Sequence, residues 1–571
     1  MDHIIHSLKT ISIVLVFLLG MGGSVLSEKY EKTSKCIYTT VEGVETFEFV
    51  CDPNKAFRDY FKDFSAIACE SEYGYLFYKE RRHQIQFRNC YRKELPIIFT
   101  WYKACRLLNV SSLGLESLRS KDFEQATNLL TLIASHNQLI DIPSSLFYGA
   151  KKLSVVDMSY NSISQIDPLA FNSNSKMTLL NLSHNLIVEI DNRTFTPLTG
   201  LEVLDLSWNR VANISTGLFD ELVQLGELKL GNNRLKQLEC SVFTYLTNLK
   251  MLDLNQNQLT VFDANCVQSA TSFVLLIEEN ELGSLSLTGN VSEINVSANK
   301  ISKINIDGDL DNMTVFNTSK NNIENIVDVI KLLNSSLRIL DVSDSKIGKL
   351  NITTFEKFDN LERLSLRNTK LSNIQYGTFH HQQKLRLLDL SGNDLKKINF
   401  EMLHWNSANL EEFHLDGNNL DDLSNLTSAM YPSLQYVSID GNKFDCDDLS
   451  GIQRHWKRDG ISVVVNPYII SEVRTTDTHV NGITCYHNLE ASKFLIVDDD
   501  NVESAEIVLP ATSTNNFEAI SMGKVESLLI CIFLVLVCLL AISVIKNVVP
   551  IFQRNIEVRD ERSTLEEMSL I

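Results

Sequence analysis

Four arginines, Arg338, Arg363, Arg367 and Arg386, crowd one stretch of a chain whose formal net charge is −19 at pH 7. A guanidinium fork suits carboxylates and anionic sugars, which it grips through paired hydrogen bonds. Asp341, Glu362 and Asp389 stand nearby in sequence. The same arginines can therefore be spent on internal ion pairs, each of small worth at a surface. A second set is His136, Tyr160, His184 and Trp208, one ring every 24 residues. If that spacing stacks them about 5 Å apart, they form a stripe able to meet a ligand. The bland alternative is that these rings are ordinary variants at one position of a repeat.

Catalytic chemistry finds no support. The chain has no G-x-x-x-x-G-K-[ST], no H-E-x-x-H, no C-x-x-C and no Gly-rich turn after a strand. The twelve histidines are scattered, and the adjacent pair His380 and His381 reads as surface rather than metal ligand. No cofactor is expected. The acidic balance argues against nucleic acid as a partner.

The elements that position these residues follow from a period. Asn137, Asn161, Asn185, Asn209, Asn233 and Asn257 are spaced by 24, with apolar residues eight, five and three places before each and two and five after. The frame runs on through Asn280, Asn299, Asn321, Ser345, Thr369, Asn393, Asn418 and Asn442, and back to Leu113. That makes fifteen repeats, with a partial one at Ile85, Phe87 and Cys90. This is the leucine-rich repeat pattern. The residues five and three places before the Asn share the inner face of a short strand, and stacked strands make a parallel sheet. The Asn is expected to turn inward and satisfy backbone groups. Ten places after it runs a Phe spine: Phe123, Phe147, Phe171, Phe195, Phe219, Phe243, Phe355 and Phe379. The expected fold is an α/β leucine-rich repeat solenoid, a parallel β-sheet horseshoe with Cys-containing caps, plus one transmembrane helix. The spacings of 19 and 22 residues after Asn280 and Asn299, where the Phe spine lapses, predict a local change of curvature.

Solenoid ends need covers. Residues 28–100 form the expected N-terminal Cys-rich cap, including "CIYTTVEGVETFEFVC" as a hairpin closed at its base. Residues 101–445 hold the repeats, and 446–485 the C-terminal cap, where Cys446 and Cys485 should pair with Trp456 packed over the last repeat. Cys240 and Cys266 sit in adjacent repeats at nearly matched positions, seven and nine after the inward residue, so a bridge between them is expected. Nine cysteines precede residue 527, an odd number. One of Cys36, Cys51, Cys69, Cys90 and Cys105 is therefore expected to be unpaired or to link two chains.

Two further segments set the compartment. Residues 1–27 read as a signal peptide, with an apolar run Ile11–Leu19. Residues 527–545 carry no charge and read as a membrane-spanning helix, preceded by an acidic linker over 486–526 and followed by a short tail over 546–571 that carries Lys546, Arg554, Arg559 and Arg562. The expected place is the plasma membrane, single-pass type I, with the N-terminus outside. In the tail, Glu566, Leu570 and Ile571 fit an acidic dileucine signal for a sorting adaptor, while Ser569 and Ile571 fit a PDZ ligand.

Eleven N-x-[ST] signals mark expected glycans: Asn109, Asn181, Asn192, Asn213, Asn290, Asn295, Asn312, Asn317, Asn334, Asn351 and Asn425. Asn109, Asn181, Asn295 and Asn317 each lie four places before the inward position, on the exposed strand face, and Ser183 is expected to face solvent. Sugars there would cover repeats one, four, nine and ten, leaving windows at repeats five to eight and eleven to fifteen.

The repeats and caps resemble extracellular leucine-rich repeat proteins of the Toll-ectodomain kind. The cap, with "GNKFD" before its Cys and a closing "GITC", is most similar to mosquito leucine-rich repeat immune proteins. The resemblance implies recognition of extracellular protein or glycan partners, with homo- or heterodimers compatible. It departs in lacking a coiled coil over 486–526 and room for a TIR domain in the tail. The reading is a cell-surface receptor, co-receptor or adhesion protein without its own signalling domain. The alternative is a shed or secreted, complement-like immune factor released at the acidic linker.

Overall fold

The computed structural model describes residues 34–41, 44–51, 82–88, 93–95, 98–99, 103–267, 272–347, 350–398, 407–464 and 478–486. The chain divides into two units, 1–491 and 492–571, the second wholly outside the described residues. The signal peptide, the linker beyond Tyr486, the 527–545 helix and the tail with Glu566, Ser569, Leu570 and Ile571 all fall outside them, as do Cys69 and Cys90. Among the described residues no helix is long and apolar enough to cross a membrane.

The described part is a leucine-rich repeat solenoid. Each repeat gives the concave sheet one short parallel strand, as in Leu179–Asn181, which pairs with Val155–Asp157 on one side and Val203–Asp205 on the other. In strands such as these the central residue is buried and its two neighbours face out, the alternation a pleated strand imposes. At the front, Ser34–Val41 and Val44–Cys51 form an antiparallel hairpin. Its register sets Cys36 opposite Phe49 and Cys51 opposite Ser34, so the two cysteines are diagonal rather than facing. The hairpin continues the sheet through Arg82–Arg88 into the first repeat strand, Cys105–Asn109.

The inward Asn column ties repeats together. Asn185 Nδ2 donates to the carbonyls of Leu182, at 3.0 Å, and of Met158 in the preceding repeat, at 3.0 Å. Its Oδ1 accepts the N–H of Ile163, also in the preceding repeat, at 3.0 Å. The pattern recurs at Asn209, Asn233, Asn257 and Asn393. These groups are buried and must be paired, and each such bond is worth about 1 kcal/mol net. Two positions break the column. The hydroxyl of Ser345 reaches the carbonyl of Ser343 in its own turn, at 3.4 Å, and that of Thr369 donates to Leu366 O, at 2.8 Å.

The Phe spine fills the convex side as far as Phe243, with ring centroids 5.1, 6.1, 6.4 and 6.5 Å apart from Phe123 to Phe219. From repeat seven to repeat nine a three-stranded parallel sheet replaces it, formed by Val261–Asp263, Ser284–Thr288 and Lys303–Asp307; a two-stranded one, Asp141–Ile142 with Gln165–Ile166, accompanies the spine in repeats two and three. A repeat of 19 residues has no length for a looped turn. The chain crosses extended instead, burying Phe262, Leu285 and Ile304 where the spine lapses.

The far end is covered by the helix Cys446–Asp459. Asp445 caps its start by accepting the Asp447 N–H, and Gly460 at φ 80° ends it. Trp456 is buried and donates its indole N–H to Leu426 O at 2.7 Å. Cys446 and Cys485 are joined, as are Cys240 and Cys266. Cys105 is free and buried. Its thiol donates to Leu107 O at 3.2 Å, and burial pushes its pKa up to about 12. It is an unpaired cysteine, but it is too enclosed to link two chains.

Candidate functional site

The arginine cluster divides into two pairs. Arg338 makes a forked contact with Glu362, at 2.9 and 3.0 Å, and Arg386 makes one with Glu411, at 3.0 and 2.8 Å. The pairing holds the Glu362 and Glu411 carboxyls below their usual range. Arg363 and Arg367 differ. Among the described residues neither guanidinium makes an ion pair or hydrogen bond with a carboxylate, although the charge of Arg363 acts on Glu411 and helps to lower its pKa. Arg363 lies on the strand Arg363–Ser365, flanked in register by Ile339 and Leu387 and exposed, and Arg367 is half-buried four places on. Asp341 and Asp389, the other nearby acids, turn instead to their own strands' ends, accepting the N–H of Ser343 and of Ser391 at 3.0 and 2.9 Å. Burial pushes the Asp341 carboxyl up, against the pull of Ser343.

The rings do stack. His136 and Tyr160 lie 4.3 Å apart, Tyr160 and His184 3.9 Å, and His184 and Trp208 4.9 Å, with tilts of 11–12°. Burial lowers the His184 pKa, Asp205 raises it and His136 lowers it. Each ring residue sits at positive φ, between 53° and 56°. The left-handed turn recurs at the residue before the inward position in every repeat, from Ser112 to Gly441.

The strand-face signals are half-buried, and their oxygens are engaged. Asn109, Asn181, Asn295 and Asn317 each accept the backbone N–H two residues on, at 3.0 to 3.1 Å. Ser183, expected in solvent, is buried. The alternation of the strand ends at Asn181, and Leu182 and Ser183 are both buried beyond it. Asn192, Asn213, Asn290, Asn312, Asn351 and Asn425 are exposed, and Asn334 is half-buried.

One constellation looks catalytic. His414 Nδ1 lies 2.9 Å from Ser438 Oγ, which donates to Asp416. The serine's one proton goes to the carboxylate, so His414 faces it as an Nδ1–H donor. Ser438 and Asp416 are both buried. No base removes the hydroxyl proton and no substrate reaches it, so the group serves to tie the last two repeats. His380 and His381 are exposed, and no metal-ligand cluster occurs among the described residues.

The leucine rich repeat family matches residues 127–187, 151–211, 175–235, 223–282 and 335–395. No curated protein matches. Among solved structures, a leucine-rich repeat protein of Leptospira interrogans is 20% identical with a TM-score of 0.51, covering 67% of this chain and 89% of that one. Toll in the Drosophila Toll–Spatzle complex is 16% identical with a TM-score of 0.49, covering 79% and 72%. TLR13 in its complex with ssRNA13 is 24% identical with a TM-score of 0.47, covering 67% of this chain. The match spans about half of the TLR13 chain, 53%. The Leptospira likeness supports the fold and no more.

Proposed function

We propose that this is a single-pass type I cell-surface recognition protein, a receptor, co-receptor or adhesion protein, that binds an extracellular protein or glycan through its concave sheet. The observation that carries the reading is the pair Arg363 and Arg367. Among the described residues neither makes an ion pair or hydrogen bond with a carboxylate, Arg363 acting on Glu411 only through its charge, on a face where Arg338 and Arg386 are already paired. A partner's carboxylate or anionic sugar meets them without breaking an existing bond. The apolar run 527–545 supports the membrane anchor, and the tail supports a link to a sorting adaptor or PDZ protein. No catalytic role is proposed. In unpermeabilised cells, an N-terminal tag placed after residue 27 should be reached by antibody and a C-terminal tag should not. The reverse labelling, or recovery of the whole chain only from the medium, would refute the anchor. Recovery from the medium of a fragment ending within 486–526 would favour the shed factor.

A further inference from the structure

The ring stripe is part of a wider lateral face. In repeats two to seven, the residues one before, one after and three after the inward Asn point outward. They alternate with the inward Asn and the buried residue two after it. None of these outward positions is Asp or Glu, in a chain with 71 acidic residues among 571. The freedom from acid ends at both sides, with Glu116 in repeat one and Glu279 and Glu281 in repeat eight. Within it stand Arg210, Arg234 and Lys236, all exposed and without carboxylate partners among the described residues. The nearest acids lie just outside, Asp141 and Glu189 one place further toward the convex side, and Asp157, Asp205 and Asp253 on the strand face. The last three are engaged by Ser159, Ser207 and the backbone N–H of Asn255.

The rings are not there to fill a core. Tyr160 and Trp208 are 46% and 52% exposed, beside Ile140 and Val188 at 58% and 52%. They also occupy a left-handed backbone that bulky residues adopt at a cost, and that Gly392, Gly417 and Gly441 occupy freely. The turn belongs to every repeat; what sets repeats two to five apart is that rings fill it.

The stack also selects a partner. Each inner ring is covered on both faces by its neighbours, so the rims are what a ligand meets. Rims are electropositive and carry the N–H and O–H donors. Sugars and nucleobases stack on faces, of which only the outer ones of His136 and Trp208 remain. An acidic, partly apolar protein segment fits the rims, the cations and the aliphatic border together. We propose that this flank docks an acidic segment of a protein partner, with carboxylates on Arg210, Arg234 and Lys236 and apolar side chains on Tyr160, Trp208 and Val188. The flank acts independently of the concave arginine window.

The test compares the whole chain with a variant carrying Tyr160→Asn, Trp208→Asn, Arg210→Gln and Arg234→Gln. Each replacement is a residue already used in the same row, Asn at Asn232 and Asn368 and Gln at Gln138 and Gln258, so folding should persist and an unchanged melting curve checks it. Random peptides displayed on phage are selected on the immobilised whole chain. The proposal expects peptides that bind it at least tenfold tighter than the variant, with Asp and Glu at twice the library frequency or more. Peptides that do not distinguish the two proteins, or distinguishing peptides without acidic enrichment, would overturn it. So would a heparin fragment that alone distinguishes them, which would assign the flank to polyanionic sugar. A dimer by sedimentation that the variant abolishes would assign it to a second copy and overturn it equally.

Discussion

Asn181 accepts the backbone N–H of Ser183 on its side-chain oxygen at 3.0 Å, the bond that Asp205 makes with Ser207 one repeat later at 2.9 Å. Asn and Asp are thus interchangeable at this turn, and an Asn followed two places on by Ser is also a sugar acceptor signal. The bond uses Oδ1 and leaves Nδ2 to carry a glycan. Asn181→Asp should therefore remove any sugar and keep stability within about 0.5 kcal/mol, whereas Asn181→Leu should cost about 1 kcal/mol. Thermal melting of the two variants checks this, and mass spectrometry of the native protein shows whether Asn181 is occupied. Equal melting of both variants would contradict the turn's role.

Ser345, with Thr369 after it, leaves the Asn column open between repeats ten and thirteen. Ser345→Asn should supply the missing amide, with Nδ2 toward the Val342 and Thr318 carbonyls and Oδ1 toward the Ile323 N–H. The expected gain is about 1 kcal/mol, read as slower hydrogen exchange in repeats ten to twelve. Faster exchange there would show that the site cannot take the larger side chain.

Burial raises the Asp416 pKa above its unfolded value, despite the bonds from Ser438 and Asp440. The folded state therefore holds a proton that the unfolded chain has already released. That contribution is complete below the ordinary carboxylate range, near pH 4, and is lost as pH rises through the raised folded value. Asp416→Asn should then melt higher relative to the parent protein at neutral pH than at about pH 4. A relative melting temperature that instead falls from acid to neutral pH would reverse the assignment.

Cys105 should resist alkylation in the native protein and react only after unfolding, because its thiol is enclosed and its pKa stands at about 12. Mass spectrometry after iodoacetamide labelling, with and without denaturant, checks this. Rapid native labelling of Cys105 would contradict it.

The repeat frame was legible because its register is local: each inward Asn announces its own strand and turn. The left-handed residue before it went unread. The signal was present in Asn232, Asn368, Gly392, Gly417 and Gly441, the residue types that tolerate positive φ. The state of the arginines was only half legible. Glu362 was named as a partner, but Glu411 lies 25 residues from Arg386, and the nearer Asp341 and Asp389 were already committed to their own turns. The second sheet was also missed. Short spacing shows that a turn is lost, but nothing in the sequence of Val261–Asp263 or Lys303–Asp307 announces that the chain then crosses extended and pairs.

The most direct measurement concerns the concave window. A partner captured by cross-linking on cells bearing the whole chain is measured by surface plasmon resonance against two double variants. Arg363→Glu with Arg367→Glu should weaken its dissociation constant at least tenfold, about 1.4 kcal/mol. Arg338→Gln with Arg386→Gln, which removes only guanidinia already held by Glu362 and Glu411, should change it less than threefold. Loss of binding in the second variant with none in the first would contradict the account.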